Sequence, residues 1–538
     1  MVSSKTAVGR DTVDSLQNSS SPTVWRRVSL FTLALLATAA AVLRFLFLTR
    51  KPFWFDECFS AEVSRLNCGD FWRLMWWREA NMSLYYVLLR GWLHFGFNPF
   101  FIRSFSVALS LLALPAIYWL GCELFDRRVA LIAVALLSFN AYHIRYAQEA
   151  RGYSLLVLLT MLSSGFFVAM LRKPSRPNRL CYGLASVLAV YAHLYALLLV
   201  AAQWVSVRGW RRNQKPHMRD FGSQASTSAV LLRDSMPRSW LRKTWGWIGI
   251  AVLPLLVFAA KTGAGPIRWI TRPGLRDMLE FAEHMAGNAG LPLLLLYVAA
   301  CMAAIVPQGK MTWLFRPVAS DLWVQQFLLI WLLFPIVLTL LLSSARPIFL
   351  GRYFIFCLPP LVILAAAGLA RLRSTWLLAL GLAAMLLLSM QGTLRYYDHD
   401  FDLERDGSGA ATDYILTHAR PGDAILFYIP GARSPYEFFR SIRTVSGSQT
   451  GAVAGPEIIY PHHGDGLRYR DFTGKLGADF MRSVPGGYAR VWLVLMDNEL
   501  AGHPDATTLM INEILGEVFP LVEREQFPQV EVRLYSKP

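Results

Sequence analysis

The chain carries repeated apolar runs long enough to cross a bilayer, and this constrains the fold more than any other feature. A spanning helix needs roughly 20 mostly apolar residues. Residues 28–49, VSLFTLALLATAAAVLRFLFLT, qualify and follow Arg26 and Arg27. A secretory signal has an apolar core of about 7–15 residues before a small-residue cleavage site. This run is longer and ends in bulky residues, so it reads as an uncleaved anchor. Further runs lie near 100–120, 128–142, 153–171, 180–192, 194–207, 245–260, 290–307, 324–343, 354–370 and 376–393, giving eleven expected spans in all. The pair 180–192 and 194–207 is short on both sides of Tyr191–Ala192–His193, and it reads equally as a re-entrant pair.

Only 17% of the 538 residues are charged, against roughly a quarter in ordinary globular chains, which argues against a soluble enzyme and against disorder. The net charge of +17 fits either nucleic acid or a membrane protein with basic cytoplasmic loops. The cations decide. With residues 1–27 as a cytoplasmic tail, Arg127–Arg128, Arg172–Arg179, the basic loop 208–243 and Arg371–Arg373 all fall on the cytoplasmic side. The first loop on the other side balances its cations with Asp56, Glu57, Glu62, Asp70 and Glu79. The excess is topological, and the nucleic-acid reading loses its support.

The expected fold is therefore mainly α: a polytopic membrane domain over 28–393, and a small extracytoplasmic α/β domain over 394–538. In that tail, 424–429 and 491–495 read as buried strands, 434–443 and 507–519 as helices, and 530–535 as an alternating strand. Residues 273–288 place Leu275, Met278, Leu279, Ala282 and Met285 on one face, as an interfacial helix rather than a site would. Cys58 and Cys68 share the first outer loop, where a disulfide is one option; no Cys-x-x-Cys spacing points to zinc.

Chemistry-bearing residues gather on one side of the membrane. Asp56–Glu57 follow the first span, and a carboxylate so placed can serve as a general base for a sugar hydroxyl. Capping of a surface helix explains the same pair. Tyr142 through Ser154 hold His143, Arg145, Gln148, Glu149, Arg151 and Tyr153, which fit either a salt-bridged helix start or a holder for an anionic head group. His193, Arg346 and Arg352 occupy further outer turns. Asp398–His399–Asp400 matches a metal–nucleotide motif formally, but no nucleotide-binding pattern precedes it. His462–His463 sit in a Pro/Gly-rich loop of solvated character.

An ordered set of short motifs carries a resemblance: Asp56–Glu57, Leu84–Tyr85–Tyr86, Gln148 through Ser154, and Arg352–Tyr353 ahead of Leu358–Pro359–Pro360. Over roughly 28–370 the chain resembles the bacterial membrane glycosyltransferases of family 39. These are related to dolichyl-phosphate-mannose protein mannosyltransferases and to the lipid A aminoarabinose transferase. The resemblance implies a GT-C fold, a polyprenyl-phosphate sugar donor, Asp56 as base and Glu57 as its partner. Many relatives carry a cation and Pro-Pro before the Leu-Tyr-Tyr element; here Asn81, Met82 and Ser83 stand there. The donor phosphate then falls to Arg151, Arg145, Arg352 or Arg346. Tyr85, Tyr86, His143, Gln148, Glu149, Tyr153 and His193 are the expected substrate contacts.

The expected reaction is inverting transfer to a lipid, glycan or protein acceptor at the outer face of a bacterial cytoplasmic membrane. No step of it requires a metal. The alternative is a transporter or lipid flippase. Transporters favour repeated halves and midplane charges, whereas this chain shows no repeat and gathers its charge at one face.

Overall fold

The computed structural model describes residues 22–213, 238–263, 270–306, 313–316, 322–399, 407–445, 455–464, 466–474, 476–496, 499–500 and 503–537. Most of the N-terminal tail, the middle of the basic 208–243 loop, and Asp400 lie outside them.

The membrane part runs α1 (Pro22–Phe45), α2 (Phe55–Arg65), α3 (Cys68–Trp77), α4 (Ser83–Trp92), α5 (Pro99–Leu124), α6 (Arg127–Phe139), α7 (Ala141–Ala147), α8 (Tyr153–Arg172), α9 (Arg176–Ala192) and α10 (Ala196–Asn213). After the gap come α11 (Arg238–Thr262), α12 (Leu275–Ala286), α13 (Leu291–Ile305), α14 (Leu322–Ala345), a 3-10 turn Gly351–Cys357, α15 (Leu358–Arg371) and α16 (Thr375–Asp398). Side-chain caps set several boundaries: Asn98 accepts from the Phe101 amide at 2.8 Å, Asp126 from Val129 at 2.9 Å, and Asn140 from His143 at 3.0 Å.

Each of the eleven expected spans falls on a helix. Among the described residues, six helices are long and apolar enough to cross a membrane singly, or eight if each of two bent pairs counts as one span. The protein is thus a multi-pass membrane protein. Bent and short helices account for part of the shortfall from eleven. The α6–α7 pair bends by 62° and α12–α13 by 73°, while α9 has 17 residues and is split from α10 at His193–Tyr195.

The first bend is held from outside its own helix. Arg44, buried near the end of α1, donates to the Leu137 carbonyl at 3.3 Å and the Ser138 carbonyl at 3.0 Å, groups that the broken helix leaves without intrahelical donors. Asn140 donates to the Met285 carbonyl at 3.1 Å, which ties this bend to α12.

The interfacial helix expected at 273–288 exists as α12, with Leu275 and Leu279 exposed. It is more than a surface helix, however: Phe281 turns inward against Phe349 and Phe354, and Asp277, Glu280 and His284 line a cavity described below. Cys58 is buried in α2 and Cys68 is exposed at the start of α3; the two are separate thiols.

The C-terminal part contains α17 (Ser408–His418), β1 (Ala424–Phe427), α18 (Arg433–Val445), β2 (Glu457–Tyr460), α19 (Ala478–Gly487), β3 (Arg490–Leu495), β4 (Glu499–Leu500), β5 (His503–Pro504), α20 (Ala506–Gly516), β6 (Leu521–Phe527) and β7 (Val530–Ser536). Five strands form one mixed sheet in the order β2-β1-β3-β7-β6. β1 pairs in parallel with β2 and β3, and β7 is antiparallel to β3 and β6. The sheet unit sits on α2: Phe53 stacks on Phe438 with centroids 4.8 Å apart, and Phe59 meets Phe472 edge-on at 5.3 Å.

Candidate active site

Asp56 lies in the first turn of α2, and its position is fixed by its neighbour. The Glu57 carboxylate is fully buried and bidentately gripped by Arg103, with Nε to Oε1 at 2.8 Å and Nη2 to Oε2 at 2.6 Å. Arg103 also donates to the carbonyls of Leu48 (2.8 Å), Lys51 (2.9 Å) and Pro52 (3.1 Å), so it pins the loop leading into α2. The Ala150 amide donates to Glu57 Oε1 at 2.9 Å. One carboxylate therefore ties the Asp56 loop to the α7–α8 junction, where Arg151 emerges. Glu57, expected beside Asp56 in catalysis, is buried in this ion pair.

Asp56 meets two arginines from distant parts of the chain. Its Oδ2 lies 3.6 Å from Arg151 Nη2 and 3.9 Å from Arg352 Nη1. Arg151 Nη1 donates to the Tyr86 hydroxyl at 3.3 Å. Arg352 sits in the 3-10 turn before α15, with its guanidinium 5.7 Å from the Trp54 ring centroid. Leu358–Pro359–Pro360 start α15 there, since proline is tolerated in a first turn. The site thus unites three motifs that are separated along the sequence.

Aromatic groups surround it. Tyr85 is buried and shares a hydrogen bond with Ser106 Oγ at 3.0 Å. Tyr153 packs on Tyr146 at 4.7 Å, and His193 on Tyr353 at 4.7 Å. Burial, with Arg151 and Arg352 adding to it, pushes the His193 imidazole down to about 3, so it is neutral at working pH. Its Nδ1 accepts from the Tyr195 amide at 3.2 Å. Among the described residues, the buried His193 Nε2, Tyr153 hydroxyl and Arg151 Nε have no hydrogen-bond partner. Asn81, where relatives carry a cation, accepts from the Leu194 amide at 2.9 Å and thereby anchors the His193 turn.

Two expected contacts are engaged by the end of α1 instead. His143 Nδ1 is engaged by Arg44 at 2.8 Å, and its ring belongs to the brace of the α6–α7 bend. Gln148 donates to the carbonyls of Arg44 (2.9 Å) and Leu46 (2.7 Å), which stabilises the end of α1. Arg346 is exposed after α14. Arg145 is buried over the Tyr146 ring, 5.2 Å from its centroid. Glu149 is buried beside Arg151, whose amide donates to the Glu149 carbonyl at 2.8 Å.

Glu79 was read only as a charge-balancing residue. Burial, reinforced by Asp56 and opposed by Arg151, raises its carboxyl to about 7. Its sequence gives no sign of this, because the neighbours come from other loops.

Two cavities bear on the site. An apolar one of about 750 Å3 lies between α3 and the C-terminal end of α11, walled by Trp72, Trp76, Trp77 and Phe258, with Arg78 and Lys261 among its lining. The tryptophans of α3 were the available signal, since interfacial helices favour such rings. The other, of about 360 Å3, lies between α7, α12 and the Arg352 turn. Among the described residues, no three His, Cys, Asp or Glu side chains gather into a metal-ligand group.

No protein-family model and no curated protein matches the chain. Solved structures do. The chain is similar to ArnT from Cupriavidus metallidurans in the apo state, with a TM-score of 0.58, 12% identity, and coverage of 93% of this chain and 97% of that one. Against ArnT bound to undecaprenyl phosphate the TM-score is 0.55 at 14% identity, with the same coverage of 93% and 97%. At such identity the likeness speaks for architecture: this is a mainly helical, polytopic membrane protein with a GT-C-like fold and a C-terminal α/β region.

Proposed function

We propose that the protein is a glycosyltransferase that moves a sugar from a polyprenyl-phosphate donor to an acceptor hydroxyl at the outer face of a bacterial cytoplasmic membrane. The observation that carries this reading is the Asp56 carboxylate held at 3.6 and 3.9 Å from the guanidiniums of Arg151 and Arg352. One group can accept a proton and two can neutralise a phosphate, side by side at the outer ends of helices.

In this reading the acceptor oxygen attacks the anomeric carbon and Asp56 takes its proton. The bond from that carbon to the phosphate oxygen breaks, and polyprenyl phosphate leaves with the electron pair. Attack opposite the leaving group inverts the anomeric centre. Arg151 and Arg352 stabilise the charge gathering on the phosphate. The orphaned Tyr153 hydroxyl and Arg151 Nε supply further donors for that anion or its sugar. The 750 Å3 apolar cavity suits the isoprenoid chain, with Arg78 and Lys261 on its lining near the head group. Undecaprenyl phosphate, bound by the structurally similar ArnT, is the first donor-side probe to try.

The test is mass spectrometry of polyprenyl-phosphate sugars and envelope glycans in cells carrying either the wild-type chain or Asp56→Asn. One donor should accumulate and one glycan residue should disappear in the variant. Identical profiles, with the variant present in the membrane at wild-type level, would refute the assignment.

A further inference from the structure

The two cavities differ in chemistry, and the difference bears on which substrate each receives. The larger is walled by tryptophans and carries cations, Arg78 and Lys261, the latter 5.5 Å from the Trp77 ring centroid. That combination suits a lipid with an anionic head. The smaller has aromatic walls too, from Tyr142, Tyr146, Phe281 and Phe349, but its rim on α12 carries the exposed carboxylates Asp277, which accepts from the Gly274 amide at 2.7 Å through one oxygen, and Glu280, which pairs with Arg276 at 2.8 Å through one oxygen. Arg352 lines this cavity and is 3.9 Å from Asp56, so a molecule seated there reaches the base past one guanidinium.

Ionised carboxylates only accept hydrogen bonds. They fit hydroxyls and repel phosphates and other anions. Aromatic rings fit the C–H faces of a saturated ring. A molecule offering both C–H faces and clustered hydroxyls is a sugar. The volume of about 360 Å3 lies at the lower end of the range of roughly 300–1,000 Å3 for small-ligand sites, which suits a ring and not a long chain. The cavity is structurally tied to the catalytic turn, because the Tyr142 hydroxyl donates to the Gly351 carbonyl at 3.0 Å, next to Arg352.

We propose that this smaller cavity is the acceptor subsite and that it takes an uncharged sugar ring, presenting one hydroxyl to Asp56. This rests on the glycosyltransferase reading for the direction of transfer, but not for the occupancy of the cavity. The acceptor is then a glycan or the sugar portion of a glycolipid, joined through a ring hydroxyl and not through a phosphate.

Full-length protein in lipid nanodiscs provides the test, by saturation-transfer NMR with three probes: methyl α-mannopyranoside, methyl β-galactopyranoside and the anionic glucose 1-phosphate. At least one neutral glycoside should receive saturation. Thr271→Trp, at an exposed position of the rim, should fill the cavity and weaken the neutral probe at least about tenfold. Saturation of glucose 1-phosphate, whose phosphate suits the donor arginines, should be the same in wild type and Thr271→Trp. Undecaprenyl phosphate binding, measured alongside, should be the same in wild type and Thr271→Trp. The proposal is overturned if no neutral glycoside binds the wild type, if Thr271→Trp binds it equally well, or if Thr271→Trp weakens glucose 1-phosphate as much as the neutral probe. If undecaprenyl phosphate fails to bind the wild type while the glycoside results hold, the donor assignment falls and the sugar cavity stands.

Discussion

The Glu57–Arg103 pair offers the sharpest separation between holding the base and being the base. Arg103 makes five hydrogen bonds, two to Glu57 and three to the carbonyls of Leu48, Lys51 and Pro52. Both side chains are nearly sealed from solvent, at 1% and 0% exposure. Arg103→Gln leaves a buried carboxylate without its paired cation, while the Ala150 amide still donates to it. Removing one partner of such a pair costs about 3–5 kcal/mol. Glu57→Gln strands the guanidinium similarly, although the three carbonyls keep part of its hydrogen bonding, so a smaller loss of about 2–3 kcal/mol is expected. The double variant should be less damaged than the sum of the two, by about 1–3 kcal/mol, because neither charge is then left alone. The assay is a melting curve of each purified variant in nanodiscs, paired with turnover at a temperature where all are folded. Loss of turnover should track loss of stability across the set. If Glu57→Gln abolished turnover with an unchanged melting curve, the positioning role would be wrong and Glu57 would belong to the chemistry.

Further outcomes follow from the same geometry. Asp56→Asn should leave undecaprenyl phosphate binding intact and cut turnover by about 10²–10⁴, measured with the donor that accumulates in cells; near wild-type turnover would remove Asp56 from the role of base. Arg151→Lys should weaken undecaprenyl phosphate binding with little change in melting, because lysine cannot reproduce a two-point grip, whereas unchanged binding would move the phosphate contact to Arg352. Burial raises the Glu62 carboxyl to about 7 against an ordinary 4.5, so the folded state holds its proton more tightly and stability falls as pH rises from about 4.5 to 7. Glu62→Gln should flatten that fall by on the order of 2–3 kcal/mol at pH 8; an unchanged pH–melting profile would contradict it. Cysteines introduced at positions 215 and 450 should label from opposite faces of the membrane, and labelling from one face would break the expected orientation.

What could be read from the sequence was set by how local each signal is. The apolar runs are local, and each became a helix; the number that cross a bilayer is not local, because the α6–α7 bend depends on Arg44 of α1. Asp56, Arg151 and Arg352 were each visible as polar groups at outer helix starts, and the fold joins them. Arg103 was invisible, since it lies 46 residues from Glu57, near the start of a mostly apolar helix. Gln148 opens the most recognisable motif and His143 lies just before it, yet both engage Arg44 of α1, because such a stretch records the needs of the bend as well as those of the site. The strand β6 escaped because the middle of LVEREQF carries three charges, as befits the edge of a sheet. The cavities have no signal in one dimension at all.

The aromatic seam between α2 and the sheet unit bears on how such a protein can evolve. Phe53 and Phe59 leave the membrane part to stack on Phe438 and Phe472, and Arg73 of α3 lies 4.6 Å from the Tyr469 ring centroid. The helix that bears Asp56 is therefore also the floor on which the sheet rests. A graft that exchanged only residues 394–538 with a distant relative would leave apolar rings facing water and loosen the turn that carries Asp56. Recombination between such chains should survive only when α2, α3 and the sheet unit travel together, so the heritable module is discontinuous along the gene.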